Sequence, residues 1–372
     1  MTDHVLITGG AGFIGSHLAD ELLRHGHRVR ALDELSPQVH GAGHHRPRYL
    51  AQEVELCRGD VRDPAAVESA LRDVTAVYHF AARIGVGQSM YQITDYTSVN
   101  AVGTSVLLEA LAKRPVRRLV VASSMSVYGE GLYRTSRGDL VTGASRALAQ
   151  IERRDWEVRS ETGEALVPLP TPETKPPSLE SVYALSKYDQ ERLCLLAGRA
   201  YGIPTVALRF FNVYGPRQAL SNPYTGVLAI FAARLLNDSA PPIFEDGLQQ
   251  RDFVSVHDVA RACRRALHAE AAVGLTINVG SGAAHSVRDV ALALGRVLGK
   301  TEIAPEMTGR CRIGDVRHCF ADITLARRAL GYEPQITLED GLRDLAGWLD
   351  GRTADDGAMR ARAELEERGL TR

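Results

Sequence analysis

The sequence carries almost no net charge. Its 44 Lys and Arg stand against 45 Asp and Glu, for a formal charge of -1. A global attraction to nucleic acid or to an anionic membrane is thereby excluded, so any anion must be held by a local cluster. Cysteine is scarce. Cys57, Cys194, Cys263, Cys311 and Cys319 are odd in number, scattered, and never spaced Cys-x-x-Cys. That pattern excludes a disulfide framework and a zinc cluster, and no metal is expected. Long hydrophobic runs are also missing. No apolar stretch approaches about 18 residues, and Met1-Thr2-Asp3-His4 passes straight into a strand pattern without a signal-peptide n-region or h-region. The expectation is a soluble, unexported protein of a reducing cytoplasm.

What is present organises itself from the N-terminal end. The 372 residues exceed one average domain, so two lobes or one enlarged α/β domain are expected. Val5-Leu6-Ile7-Thr8 is a short apolar run, and Gly9-Gly10-Ala11-Gly12-Phe13-Ile14-Gly15 then opens an amphipathic segment from Ser16 to His25. Strand, glycine turn and helix in that order cradle a pyrophosphate. Gly9 permits the turn, Gly12 lets the backbone approach the phosphates, Gly15 lets the helix pack against the strand, and the helix N-terminus presents free N–H groups. Asp33 closes the next strand, Arg28-Val29-Arg30-Ala31-Leu32. A carboxylate there accepts from ribose hydroxyls and repels a 2′-phosphate, which favours NAD over NADP.

Further on, Val54 to Val61 and Ala76 to Ala82 read as buried strands with a helix over Pro64 to Arg72 between them. Their ends place Asp60 and Val61 to bracket an adenine, and Ala81 and Ala82 to let a dinucleotide lie close to the backbone. His79 reads as packed rather than catalytic. A helix over Tyr96 to Lys113 leads to the strand Arg118 to Ala122 and the hydroxyl-rich turn Ser123 to Gly129. After the breaker-rich segment Pro168 to Pro177, Val182-Tyr183-Ala184-Leu185-Ser186-Lys187-Tyr188 opens a helix. Residues four apart share a helix face, so Tyr183 and Lys187 point the same way, and an ammonium near a phenol stabilises the phenolate as a base.

These phrases, together with Asn100 and Arg209-Phe210-Phe211-Asn212-Val213-Tyr214-Gly215-Pro216, resemble the extended short-chain dehydrogenase/reductases, the NAD-dependent nucleotide-sugar epimerase/dehydratase group. The likeness runs in order from about Val5 to about Trp348. It implies an α/β fold: a Rossmann doubly wound parallel sheet with a smaller α/β C-terminal substrate lobe. The cofactor residues it implies are Gly9, Gly12, Phe13, Ile14, Gly15, Asp33, Asp60, Val61, Ala81, Ala82, Asn100, Tyr183 and Lys187, with Ser124, Tyr183 and Lys187 as the catalytic set. It further implies that Ser124, Ser126, Asn212, Arg251, Arg312 and Asp315 contact a nucleotide sugar, the two arginines gripping its diphosphate and Asp315 its ribose. The expected organisation is a cofactor domain over 1–209 to which 253–280 returns, a substrate lobe over 210–252 and 281–350, and a loosely docked helical tail over 351–372. The resemblance also implies a homodimer, pairing the helices over Tyr96 to Lys113 and Tyr183 to Gly202 and burying Val106 and Leu193.

The chain departs from a minimal member of that group by a polar, Pro-rich insertion over 130–177, with a helix expected near Ala144 to Arg154 and a lid or interface role. Its flanks resemble the dTDP-L-rhamnose 4-epimerase branch, whose members carry a Cys-x-x-Cys-like knuckle that this chain lacks. A 4,6-dehydratase of the group follows the serine or threonine with an Asp-Glu pair, and decarboxylating relatives place a Glu at the second position. Here those places hold Met125 and Ser126. Neither does acid–base work at neutral pH, so the reading is a dTDP- or UDP-hexose 4-epimerase acting through a transient 4-keto sugar. The alternatives are a 4-ketosugar reductase, a decarboxylase or a dehydratase. A catalytically silent dinucleotide-binding regulator is the remaining one, and it would be expected to lack Tyr183 or Lys187.

Overall fold

Six largely buried stretches become inner and edge strands of one sheet, because a strand covered by helices on both faces must be apolar on both, and the partly exposed segment Glu55–Arg58 closes the far edge. In the computed structural model, which describes residues 2–43, 45–220, 222, 224, 226–312, 314–352 and 358–371, these are β1 (His4–Thr8), β2 (Arg28–Asp33), β3 (Glu55–Arg58), β4 (Ala76–His79), β5 (Arg118–Ser124), β6 (Thr205–Phe210) and β7 (Thr276–Val279). Their order is β7-β6-β5-β4-β1-β2-β3, and every pairing is parallel. The order reverses between β1 and β4, which opens a crevice at the C-terminal strand ends.

Alternation along β1 feeds two cores. Val5 and Ile7 pack with Leu18 and Leu22 of helix α1 (Phe13–Arg24), while Leu6 packs on the other face with Val67 of α2 (Pro64–Ala70), Leu107 and Leu111 of α3 (Gly103–Lys113) and Cys194 of α4 (Val182–Tyr201). Helix α5 (Val256–Ala266) adds Val259 and Cys263 to the first face. The helix expected over 96–113 is interrupted. Ile93–Thr97 is α-helical, Ser98–Val102 is a π-helical turn, and α3 follows. Within that turn, the backbone carbonyl of Asn100 accepts from Thr104 Oγ1 at 2.5 Å.

A second body of structure follows Phe210. Asn212–Tyr214 pairs with Phe253–Ser255, and Gln250–Arg251 lies between His285–Ser286 and His318–Cys319. Its core joins Phe231, Leu294, Leu342 and Leu345. Residues from Ala321 to Tyr332 return to the core of the main sheet, where Ile323, Ala326 and Leu330 pack.

The insertion builds its own small sheet from Leu132–Arg134, Leu140–Val141 and Val167–Leu169, over a core of Tyr133, Val158 and Leu166. Its helix spans only Leu148–Glu152, and Arg146, ahead of it, makes ion pairs with Glu130 and Glu245. Within the tail, 353–357 lie outside the described residues. Beyond them the helix Ala358–Glu367 is seated rather than loose: Leu365 is buried, and Glu364 accepts from the hydroxyls of Tyr91 and Tyr224. Thr371 bridges to Arg312. Apolar residues scattered among charges, rather than a run of them, are what hid this docking from composition. Among the described residues no helix is long and apolar enough to cross a membrane.

Candidate active site

The glycine loop is shaped by crowding. Gly9 has φ +71, and a Cβ there would lie 2.9 Å from Ala81 N; a Cβ on Gly15 would lie 2.3 Å from Gly9 O. Neither position admits a side chain, so the backbone itself lines the mouth of β1. Asp33 locks the loop from β2. Its carboxylate accepts from Ala11 N at 3.0 Å and Leu35 N at 2.9 Å. Asp60 is held by Arg62, whose fork donates to both carboxylate oxygens and keeps the acid below its ordinary range.

Strand β5 ends at Ser124, and α4 begins beside it. Ser181 Oγ accepts from Ala184 N at 3.1 Å, capping α4, and Gly202 ends the helix in the left-handed region. The helix is fixed against the sheet by Glu191, which accepts from Arg209 at 2.9 and 2.7 Å and from Ser123 Oγ at 2.7 Å. Tyr183 thus sits in the first turn of α4 and lines the same cavity as Ser124. Ser124 Oγ also accepts from Ser126 Oγ at 2.9 Å.

The Tyr183–Lys187 pair differs from its sequence expectation. Lys187 Nζ donates to Gln190 Oε1 at 2.6 Å, and burial pulls the ammonium down to about 8. Burial also raises the Tyr183 phenol, with Ser124 opposing. Desolvation acts on both groups at once and disfavours both charges, an effect that helix spacing alone does not reveal. Gln190 in turn donates to Thr104 Oγ1 at 3.0 Å. His79 is packed: it shares hydrogen bonds with Thr8 Oγ1 and Thr104 Oγ1, each at 2.8 Å, and burial, with the Lys187 charge, pushes it down to about 3.

Across the crevice, Asp315 joins the two arginines. Arg312 Nη2 donates to Asp315 Oδ2 at 3.0 Å and Arg251 Nη2 to Oδ1 at 3.3 Å. Burial alone would raise this acid, but Arg312 and Arg251 outweigh it and hold the carboxyl low.

One cavity of about 580 Å³ connects these groups. Gly9, Gly12, Phe13, Ile14, Gly15, Asp33, Asp60, Val61, Ala81 and Ala82 line one end, Ser124, Ser126, Tyr183 and Lys187 the middle, and Asn212, Arg251, Arg312 and Asp315 the other. Asn100 is not among the lining. Fully buried, its amide bonds Arg83 N, Arg83 O and Ser186 Oγ, so it braces the wall behind Tyr183. The sequence reading missed Gln218, Tyr224, Phe244 and Gln249, which also line the cavity. Gln249 stands two residues before Arg251, a signal of proximity; Phe244, under the Arg312 guanidinium at 4.9 Å, had none. Asn212 Oδ1, Gln218 Oε1 and Gln249 Oε1 are buried acceptors without a partner, which costs about 1–3 kcal/mol each until a donor arrives. Ligand hydroxyls or N–H groups are such donors.

Comparison with known proteins finds relatives along most of the chain. The chain matches the NAD dependent epimerase/dehydratase family over residues 5–146 and 161–280, the interruption falling inside the insertion. It is 36% identical over 349 residues to a dTDP-L-rhamnose 4-epimerase of Burkholderia thailandensis, covering 93% of this chain and 94% of that one. The structure of Thermus thermophilus UDP-glucose 4-epimerase in complex with NAD superposes with TM-score 0.73 at 32% identity, covering 94% of this chain and all of that one. A Bacillus cereus UDP-glucuronic acid 4-epimerase in complex with UDP-glucuronic acid and NAD gives TM-score 0.73 at 29% identity, with 93% and 98% covered. The family match over residues 5–146 and 161–280, together with 36% identity to a relative across 93% of the chain, places this protein in the NAD dependent epimerase/dehydratase family.

Proposed function

We propose that the protein is an NAD-dependent nucleotide-sugar 4-epimerase acting on a dTDP- or UDP-hexose. The loop over Gly9 to Gly15 fits a dinucleotide, since it is walled by backbone where a Cβ has no room, and Asp33 beside it disfavours a 2′-phosphate. NAD supplies the acceptor and donor of hydride. The chain does the rest. Tyr183, as phenolate, takes the proton of the sugar C4 hydroxyl, and Ser124 holds and polarises that oxygen. Lys187 supplies the positive charge that steadies the phenolate. Asn212, Arg251 and Arg312 hold the diphosphate and Asp315 the ribose, so the sugar alone turns over. Tyr183 then gives its proton back to the C4 oxygen on the opposite face, the hydride exchange at C4 being what bound NAD would supply.

The observation that carries epimerisation over elimination is the pair after Ser124. Met125 packs against the main core and Ser126 donates to Ser124, so neither can move a proton at C5 or C6. The protein pairs as a homodimer: Val106 and Leu193 are half-buried against the core of the main sheet, and exposed Val102, Leu185 and Leu196 stand beside them on the helices that would meet. Its five free cysteines suit a reducing cytoplasm. The test is incubation with UDP-, dTDP- and GDP-sugars without added NAD, products being resolved by chromatography and NMR. A C4 epimer is expected. A 6-deoxy-4-keto product, loss of carbon dioxide, or turnover only with a supplied reduced nicotinamide would refute the reading.

A further inference from the structure

The insertion reaches into the wall that carries Arg251, Arg312 and Asp315. The side chain of its Arg146 is buried, 3% exposed, and gathers groups from the insertion and from the second body of structure. Nη1 donates to Glu245 Oε1 at 2.5 Å, Nη2 donates to the backbone carbonyl of Asp315 at 3.1 Å, and Nε lies 3.6 Å from Glu130 Oε1. Glu130, at the start of the insertion, accepts from the backbone N–H groups of Arg317 at 2.7 Å and His318 at 3.2 Å. Arg317, wholly unexposed, pairs with Glu157 of the insertion at 2.5 Å and with Glu245 at 2.8 Å.

The main chain from 315 to 318 is therefore gripped by the insertion from one side. From the other it serves the cavity: the carbonyl of Arg317 accepts from Arg251 Nη1 at 2.9 Å, that of Val316 from Arg251 Nη2, and the Asp315 carboxylate joins Arg251 to Arg312. Arg146 itself does not line the cavity. A buried ionic cluster is a poor source of net stability, because desolvation offsets its Coulomb attraction, but it has one sharp geometry. Here that geometry is imposed on the residue at the centre of the anion-binding wall.

We propose that Arg146 is a positioning residue for nucleotide recognition: through the Asp315 main chain it sets the spacing of Arg251 and Arg312 for a nucleoside diphosphate. The proposal rests on the nucleotide-sugar reading above. The insertion is accordingly part of the substrate site, acting from behind it. The test uses the full-length, NAD-loaded protein and two variants, Arg146→Lys and the charge-balanced double variant Arg146→Met with Glu245→Gln. UDP and dTDP binding is measured by calorimetry, beside NAD content, thermal midpoint, KM and kcat. Expected is a rise of about tenfold in Kd and KM, the fold-change of one lost hydrogen bond to a charged group, with kcat and NAD content held. Unchanged Kd in folded variants, or a fall in kcat with Kd intact, would overturn the positioning role. Loss of fold and NAD in both variants would overturn it in favour of a structural brace. A wild-type protein that binds neither diphosphate would instead overturn the nucleotide-sugar reading.

Discussion

Replacing Tyr183 by phenylalanine deletes one oxygen and keeps the ring, so its structural and chemical effects separate cleanly. The ring's edge contact with Tyr96, centroids 6.4 Å apart, and the hydrogen bond from Tyr183 N to Ser89 Oγ at 3.0 Å both survive. Only the phenolic oxygen facing Ser124 is lost, so little stability goes with it. Fold and bound NAD should therefore remain. Turnover should not. A general acid–base group contributes about 10²–10⁴-fold, and Tyr183 serves both half-reactions, so the loss should reach at least the upper end, about 5 kcal/mol of barrier. The pH profile carries the same logic. Burial raises the phenol, and the reactive form is the phenolate, so kcat/KM should rise with pH. Lys187, pulled down to about 8, loses its charge above that pH, so the rise should flatten there, the two groups titrating as a coupled pair. Lys187→Met should lower activity at neutral pH and recover part of it at high pH, where the phenolate forms unaided. The assay is initial-rate epimerisation on the best substrate of the panel, with NAD released by denaturation as the control for fold. If Tyr183→Phe kept more than about a tenth of wild-type turnover, the mechanism would be wrong.

Three further outcomes are expected. NAD should co-purify and not be consumed, because Asp33 and the crowded loop hold it through each turnover; tighter binding of NADP than of NAD would refute the role of Asp33. Light scattering at micromolar concentration should give a dimer, and Leu196→Arg on the exposed face of α4 should shift it to monomer; a wild-type monomer mass would end the dimer proposal. Asp252, fully buried and accepting from Ser281 N, Ser281 Oγ and Gly282 N, is raised by burial to about 6 from 3.8. Between those values the folded state holds more protons than the unfolded one, so stability falls as pH rises through the window. Chemical denaturation of Asp252→Asn across pH 4 to 6 should show a flatter dependence than wild type, and an identical slope would contradict the assignment.

The legible features were those carried by short spacing. Glycines three apart between an apolar run and an amphipathic one have few uses besides a phosphate cradle, and Tyr183 and Lys187 share a face because a helix repeats every 3.6 residues. Met125 and Ser126 could be read as missing acids without coordinates, since their side chains have no proton to trade at neutral pH. Other features depend on contacts between distant residues, for which local periodicity holds no record. Lys187 turns to Gln190, and burial, not helix geometry, sets the charge of both members of the pair. Asn100 stands behind the cavity wall because a π-helical turn aims its amide at Arg83 and Ser186. The charged tail is seated by Leu365 and two tyrosines far away in the chain. The insertion reads as polar surface by composition, yet the Arg146 side chain is drawn under by Glu245, 99 residues away in the chain, and Glu157 is tied to Arg317, 160 residues away. Local patterning thus determined the strands, the glycine loop and the shared helix face of Tyr183 and Lys187. Tertiary packing decided which charges are desolvated together, and with that the charge balance of Tyr183 and Lys187 and the placement of Arg251, Arg312 and Asp315.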